Sequence, residues 1–387
     1  MKRRDVLQAL GLGGLGWLAP DLVAGAAPPS SRPTSLSSPS LVFPHLQHPT
    51  GLETLLQVKP KDVKYRIAIL TDPHLALRDK SLDFKALRYS PLITQQHFNV
   101  IRSLDRLTGK GVDLLLMPGD LTRDSEPWNH QAMLNHLKAC PFPSLVIPGN
   151  HDVFKVWMPK YNWNIHQFVY AYQGRNGGYQ STQPYYAVEA LPGLMVIGLN
   201  SSDTPDGLLQ KTWNGRVDDV QLKWLEATLK KHAGKKQILI QIHHPLIPHH
   251  PMEKENSGHP WNNFHTDNAD AVLKLMAKYN VRLVFTGHHH INHIVRHPKL
   301  PVTEICTAGA CSYPSNFRVM DILSDGKQAT IHTVSIPWRS ILTRIGRLAS
   351  HKREKFWRLP GKKNDPNALL QFLAGRPQDR FTTISLG

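Results

Sequence analysis

The chain has 387 residues, 41% of them hydrophobic and 19% charged, which excludes a disordered protein and gives room for one large or two ordinary domains. A formal net charge of +17 favours anionic partners, and 22 histidines supply many metal- and proton-binding side chains. Three cysteines, an odd number, exclude a fold built on a framework of paired disulfides.

The chain opens "MKRRDVLQALGLGGLGWLAPDLVAGAA": basic, then apolar and glycine-rich, then small. That order predicts an export signal over residues 1–27, with Ala24-Gly25-Ala26 as the cleavage site and an uncleaved membrane anchor as the alternative. The Arg3-Arg4 pair followed by Val6-Leu7 resembles a twin-arginine signal, which implies an exported, periplasmic protein. Residues 28–62 contain "PPSSRPTSLSSPS" and read as a linker and N-terminal extension.

From Tyr65 onward strands and helices alternate. "YRIAIL" (65–70), "VDLLLM" (112–117) and "SLVIP" (144–148) are short apolar runs that predict buried strands. Helices are predicted between them, at 90–109 with Gly109 as its stop, and at 127–139. "YYAVEA" (185–190) and "LMVIGLN" (194–200) predict a β-rich middle, followed by a helix over 217–232 that stops at Gly234. "QILIQI" (237–242) and "VRLVFT" (281–286) are strands flanking a helix at 267–279, and 302–306, 317–323 and 329–334 complete the sheet segments. Residues 63–335 thus form one α/β domain. Residues 336–387 form a basic C-terminal extension, in which 344–358 predicts a basic helix that suits nucleic acid or an anionic membrane, or simply a solvated face.

Five of the predicted strands end in His, Asp or Asn: Asp72 and His74; Asp120; Asn150 and His151; His243 and His244; His288, His289 and His290. Ligands of open α/β sheets bind beyond the carboxyl ends of strands, so five adjacent ends put these groups in one crevice. Each motif alone is weak; their order, each directly after an apolar strand, is the signal.

The series "TDPHL" (71–75), "PGDLTRD" (118–124), "PGNHD" (148–152), "IHHPL" (242–246) and "TGHHH" (286–290) resembles the calcineurin-like metallophosphoesterases. "GLN" (198–200) and "QLKWLEATL" (221–229) resemble more closely the class III cyclic-nucleotide phosphodiesterase branch. The resemblance implies a four-layer α/β/β/α sandwich with two mixed sheets. It implies two divalent metal ions and hydrolysis of small phosphate esters by a metal-bridging hydroxide. Matched position by position, Asp72, His74 and His290 would hold one metal and Asn150, His243 and His288 the other, with Asp120 bridging them. His244 is the alternative to His243.

His151 matches the family's non-ligand histidine, which binds phosphate and protonates the leaving group. Asp152 would orient His151, and Asp124 would support the site from outside; turn stabilisation is the alternative for both. His289 is expected to point away from the metals, toward solvent or substrate. The position of the purple acid phosphatase tyrosine holds Arg123, which implies no Tyr-bound ferric iron. A donor set of Asp, Asn and His without thiolate suits Mn²⁺, Fe²⁺ or Zn²⁺. The loop 245–267 should overhang the site, with His249, His250, His259 or Trp261 as substrate contacts. Trp157, Tyr161 and Trp163 are candidates for base stacking, with packing as the alternative.

Phosphodiesterase is the expected activity. Phosphomonoesterase, and a nucleic-acid or membrane-surface binder with a vestigial site, are the alternatives. Cys306 and Cys311 are close enough in sequence to pair, with buried free thiols as the alternative.

Overall fold

The computed structural model describes residues 51–77, 91–172, 181–207, 209, 212–250, 264–336 and 366–386. The export signal, most of the linker, residues 251–263 (with His259 and Trp261) and the basic 344–358 segment lie outside the described residues. No helix among the described residues is long and apolar enough to cross a membrane.

The first half of the described chain gives β1 (Val63–Ile69), α1 (Pro91–Arg102), β2 (Leu114–Met117), α2 (Pro127–Lys138), β3 (Ser144–Val146), α3 (Ile165–Tyr172), β4 (Tyr186–Leu191) and β5 (Leu194–Gly198). The second half gives α4 (Asp219–His232), β6 (Gln237–Gln241), α5 (Ala269–Lys278), β7 (Leu283–Thr286), β8 (His293–Arg296), β9 (Thr303–Cys306), β10 (Asn316–Leu323), β11 (Gln328–Ser335), α6 (Pro366–Ala374) and β12 (Phe381–Ser385). Local chemistry sets several boundaries. The side chain of Asp218 caps α4 by accepting from Gln221 N, and Gly109, at φ 72°, follows the short helix Leu104–Thr108 in the left-handed conformation.

Two six-stranded sheets form, ordered β12-β11-β10-β1-β2-β3 and β4-β5-β6-β7-β9-β8. In the first, β1, β2 and β3 are parallel neighbours; in the second, β5, β6, β7 and β9 are. The sheets face each other across an apolar layer that includes Ile67, Ile69, Leu114 and Met320 from one and Val196, Leu239, Phe285 and Ile305 from the other. A second apolar layer, with Phe98, Ile101 and Leu137, packs α1 and α2 on the outside of the first sheet. A third, with Leu225, Leu229, Val272 and Met276, packs α4 and α5 outside the second. The four-layer sandwich expected from the sequence is the observed fold.

Two expected boundaries need correction. The C-terminal extension returns to the domain: β12 pairs with β11 through registers such as Ala329↔Ile384 and becomes the edge of the first sheet. The buried Arg318 donates to the carbonyl of Asp379, and Asn292 N donates to the carbonyl of Leu373, so residues 366–386 satisfy polar groups that would otherwise be stranded. At the other end the helix Leu52–Leu56 buries Leu52 and Leu55, so the expected linker already joins the fold by residue 52. A buried ion pair between Arg66 and Asp321, 2.6 Å apart on paired strands, ties β1 to β10.

Candidate dimetal site

The carboxyl ends of β1, β2 and β3 meet those of β6 and β7 at one edge of the sandwich, and the predicted residues come together there. Asp120 Oδ2 lies 3.4 Å from His74 Nε2 and 3.3 Å from His243 Nε2. On one side of it, His290 Nε2 is 3.1 Å from Asp72 Oδ1 and 3.2 Å from His74 Nε2. On the other, His243 Nε2 is 3.1 Å from Asn150 Oδ1 and 3.2 Å from His288 Nδ1. The side chains divide into two groups that share Asp120.

These spacings fit metal ions. Donor atoms about 2.1 Å from a common ion stand about 3.0–3.4 Å apart when they subtend angles between square and tetrahedral. The chain also leaves no room to relax the cluster. A Cβ on Gly149 would lie 2.1 Å from Asp120 Oδ1, and one on Gly287 would lie 2.3 Å from Asp72 Oδ2. Five of the clustered residues, Asp72, His74, Asp120, His288 and His290, adopt positive φ between 43° and 63°. That left-handed region is uncommon for side chains other than glycine and marks stored strain at functional sites.

Supporting bonds fix which ring nitrogens face inward. His243 Nδ1 donates to the Pro118 carbonyl at 2.8 Å, which leaves Nε2 as a lone-pair donor toward Asp120 and Asn150. His290 Nδ1 meets Ser312 Oγ at 2.9 Å, and His288 N donates to both oxygens of Asp72 at 3.1 Å. His244 is committed elsewhere: Nε2 donates to the Trp213 carbonyl at 3.1 Å and Nδ1 accepts from Ser201 Oγ at 2.8 Å. The geometry therefore favours His243 over His244 as the inward-facing member of the pair.

Electrostatics reinforce the grouping. Burial raises the Asp120 carboxyl, but His243, His151 and His74 outweigh it and hold the group well below the usual carboxylate range. Burial lowers His243, yet Asp120 beside it pushes the imidazole up to about 9, so without a cation it keeps a proton where a metal would bind. Burial drives His288 well below its ordinary value. A donor set that attracts positive charge to one shared carboxylate is suited to divalent cations.

His151 stands beside both groups. Its Nδ1 donates to the Arg123 carbonyl at 2.5 Å and to Asp124 Oδ1 at 2.9 Å, which leaves Nε2 for a ligand. Burial lowers its basicity, but Asp120 and Asp124 raise it above the ordinary histidine value. Here the expectation for Asp152 fails. Its buried carboxylate accepts from the backbone N–H groups of Gly149, Leu121 and Thr122 and from the Thr122 hydroxyl, which splices the loops after β2 and β3. Asp124 is the carboxylate that orients His151. Adjacent turn residues point apart, so sequence adjacency was the wrong guide.

Other expectations also shift. His289 points away from the cluster as expected, but it is buried and donates to the Phe264 carbonyl rather than facing solvent. His249 is also buried, 2.9 Å from Glu304, so it supports the loop after β6 instead of reaching for substrate. Trp163 packs on the buried His130 at 4.5 Å, which is packing rather than stacking on a base. Cys306 and Cys311 are buried and form no disulfide with each other.

Three contributors escaped the sequence reading. The Cys311 thiol gathers with His74 and His290, their donor atoms all within 4.8 Å of one another, so the surroundings are not free of sulfur. Cys311 follows β9, and the strand-end rule extended to that strand would have found it. Glu304 ties the loop after β6 to β7 by accepting from Leu246 N, Ile247 N and the Thr286 hydroxyl. Trp213 lies in an irregular loop with no signal of its own, and its ring sits 5.0 Å from that of His151.

Residues 65–292 match the calcineurin-like phosphoesterase family. The chain belongs to that family. It is accordingly a metal-dependent phosphoesterase, with the fold already described. It is 25% identical over 275 residues to a probable cyclic nucleotide phosphodiesterase from Synechococcus, covering 69% of this chain and 92% of that protein. It is 24% identical over 289 residues to a 3′,5′-cyclic adenosine monophosphate phosphodiesterase from Vibrio vulnificus, covering 73% and 89%. A dimetal phosphatase from Danio rerio shares the fold, with a TM-score of 0.53 at 15% identity over 71% of this chain and 100% of that one.

Proposed function

We propose that this phosphoesterase hydrolyses small phosphodiesters. Asp72, His74, His290 and Asp120 would hold one divalent cation, and Asn150, His243, His288 and Asp120 the other. Mn²⁺, Fe²⁺ and Zn²⁺ all suit these donors. Two bound cations at such a site supply the Lewis acidity that neutralises phosphoryl oxygens and acidifies a water molecule. The water gives one proton to solvent and its oxygen bonds to phosphorus, the bond from phosphorus to the leaving alcohol breaks, and the leaving oxygen takes a proton from His151 Nε2, which solvent then restores. Asp124 and the Arg123 carbonyl hold the opposite ring nitrogen, so the acid meets the leaving group in one orientation.

The observation that carries this reading is Asp120 Oδ2 standing 3.4 and 3.3 Å from one histidine of each group. Preference for diesters rests on the relatives, whose names are those of cyclic-nucleotide phosphodiesterases. The test compares bis(p-nitrophenyl) phosphate with p-nitrophenyl phosphate on metal-stripped protein refilled with Mn²⁺, with Asp120→Ala as the blank. Faster diester turnover supports the reading, and faster monoester turnover replaces it with a phosphomonoesterase. On the N-terminal pattern we place the enzyme outside the cytoplasm, in a scavenging or envelope role; finding the full-length chain in the cytoplasm with its first residues intact removes that placement.

A further inference from the structure

We infer that Trp213 and Trp157 form a shelf that stacks a planar aromatic group on the leaving alcohol of the substrate. The inference rests on the phosphodiesterase reading and adds the chemistry of the departing group. Three observations combine. The Trp213 ring lies 5.0 Å from His151, tilted 30° to it, against the imidazole assigned to the leaving oxygen. The Trp157 ring continues outward, 5.0 Å from Trp213 at 46°. Trp157 is 47% exposed, so an aromatic surface runs from the acid into solvent. Apolar surface left in water next to a catalytic group calls for an apolar ligand.

The shelf is also held rigid. Lys155, fully buried, donates from Nζ to the carbonyls of Ser202 and Leu209, each at 2.8 Å, which ties the loop carrying Trp157 to the loop leading to Trp213. Burying an ammonium group is costly unless its donors are satisfied, so the two carbonyls that receive it hold both loops firmly in place. The Trp213 carbonyl receives the Nε2 proton of His244, and Gly215 packs so closely on His244 that a Cβ there would lie 2.5 Å from its ring. Gly215 N donates to His265 O and Asp267 N to Gly215 O, which locks the far end. His244, unused in the cluster, thereby hangs the shelf from the strand end that carries His243.

Aromatic stacking tolerates many ring systems, so the shelf selects for planarity, as in an aryl group or a heterocyclic base. The test uses two methyl phosphodiesters whose leaving alcohols are of similar acidity: p-chlorophenol, which is aromatic, and hexafluoroisopropanol, which is not. We expect the native holoenzyme to favour the aryl ester in kcat/KM by about tenfold or more. Trp157→Ala should shrink that preference by about tenfold, mostly through KM of the aryl ester, and Trp213→Phe, which keeps a ring on His151, should shrink it less. Equal turnover of the two esters by the native enzyme, or a preference unchanged in Trp157→Ala, overturns the shelf and leaves the phosphodiesterase reading standing. Absence of Asp120-dependent turnover of either ester rejects both.

Discussion

Asp120 and His151 sit 31 residues apart in sequence and share a hydrogen bond, His151 N to Asp120 Oδ1 at 2.8 Å, yet their substitution should fail differently. Asp120→Ala removes the oxygen common to both groups, so it should lose bound metal as well as turnover. His151→Ala should keep two metals per chain and lose about 10²–10⁴-fold in kcat, the usual worth of a positioned acid. Elemental analysis beside steady-state rates checks both; equal metal loss in the two variants would mean that His151 is a ligand. Asp124→Asn should cost less than His151→Ala, because the Arg123 carbonyl still holds Nδ1. Gly149→Ala is a test of space: its methyl would fall 2.1 Å from Asp120 Oδ1 and 2.2 Å from Asp120 N, so metal retention should drop although no ligand is touched.

At the scale of elements, the segment beyond residue 365 predicts a long-range effect. Asn292, two residues after His290, bonds to Leu373 through its backbone N–H and to the carbonyls of Ala374 and Asp379 through its side chain. A chain ending at residue 365 should therefore melt at lower temperature and release metal more readily than the full chain, which a thermal melt and a chelator titration would show. Loss of stability with metal affinity intact would mean that the segment supports the sheet but not the 288–292 loop. None of this was legible in the sequence. β12 alternates exposed and half-buried positions along "FTTIS" and β8 is half-exposed "HIVR", so neither makes the apolar run that exposed the central strands. β1, β2, β3, β6 and β7 were legible because both faces are covered, and their ends named the clustered residues. What the ends could not say is which loops would meet, and that decided Asp124 over Asp152 and brought in Cys311 and Trp213.

At the scale of the whole molecule, histidine burial makes stability depend on pH. Burial lowers His97 to about 4, His130 to about 3 and His332 to about 4. The unfolded chain takes up these protons near pH 6.5, whereas the fold refuses them until its own lower values. Their contribution is therefore complete above about pH 6.5 and is lost as pH falls toward 4. Between pH 7 and 5 each such histidine should cost about 2 kcal/mol of stability. Urea midpoints of metal-loaded protein at the two pH values test this, and His130→Phe should show the shallower decline, since it keeps a ring on Trp163 but cannot titrate. An identical decline in the variant would mean that His130 does not contribute to the acid sensitivity.

The left-handed backbone at Asp72, His74, Asp120, His288 and His290 has a consequence for how this chain can change over generations. At each of these five positions glycine would relieve strain. The side chains nevertheless complete the local structure, since Asp72 accepts from His288 N and Asp120 from His151 N, so glycine would also strand buried donors and leave cavities. The strained backbone is therefore held in place by the same side chains that make up the cluster, and a substitution there changes fold and chemistry together.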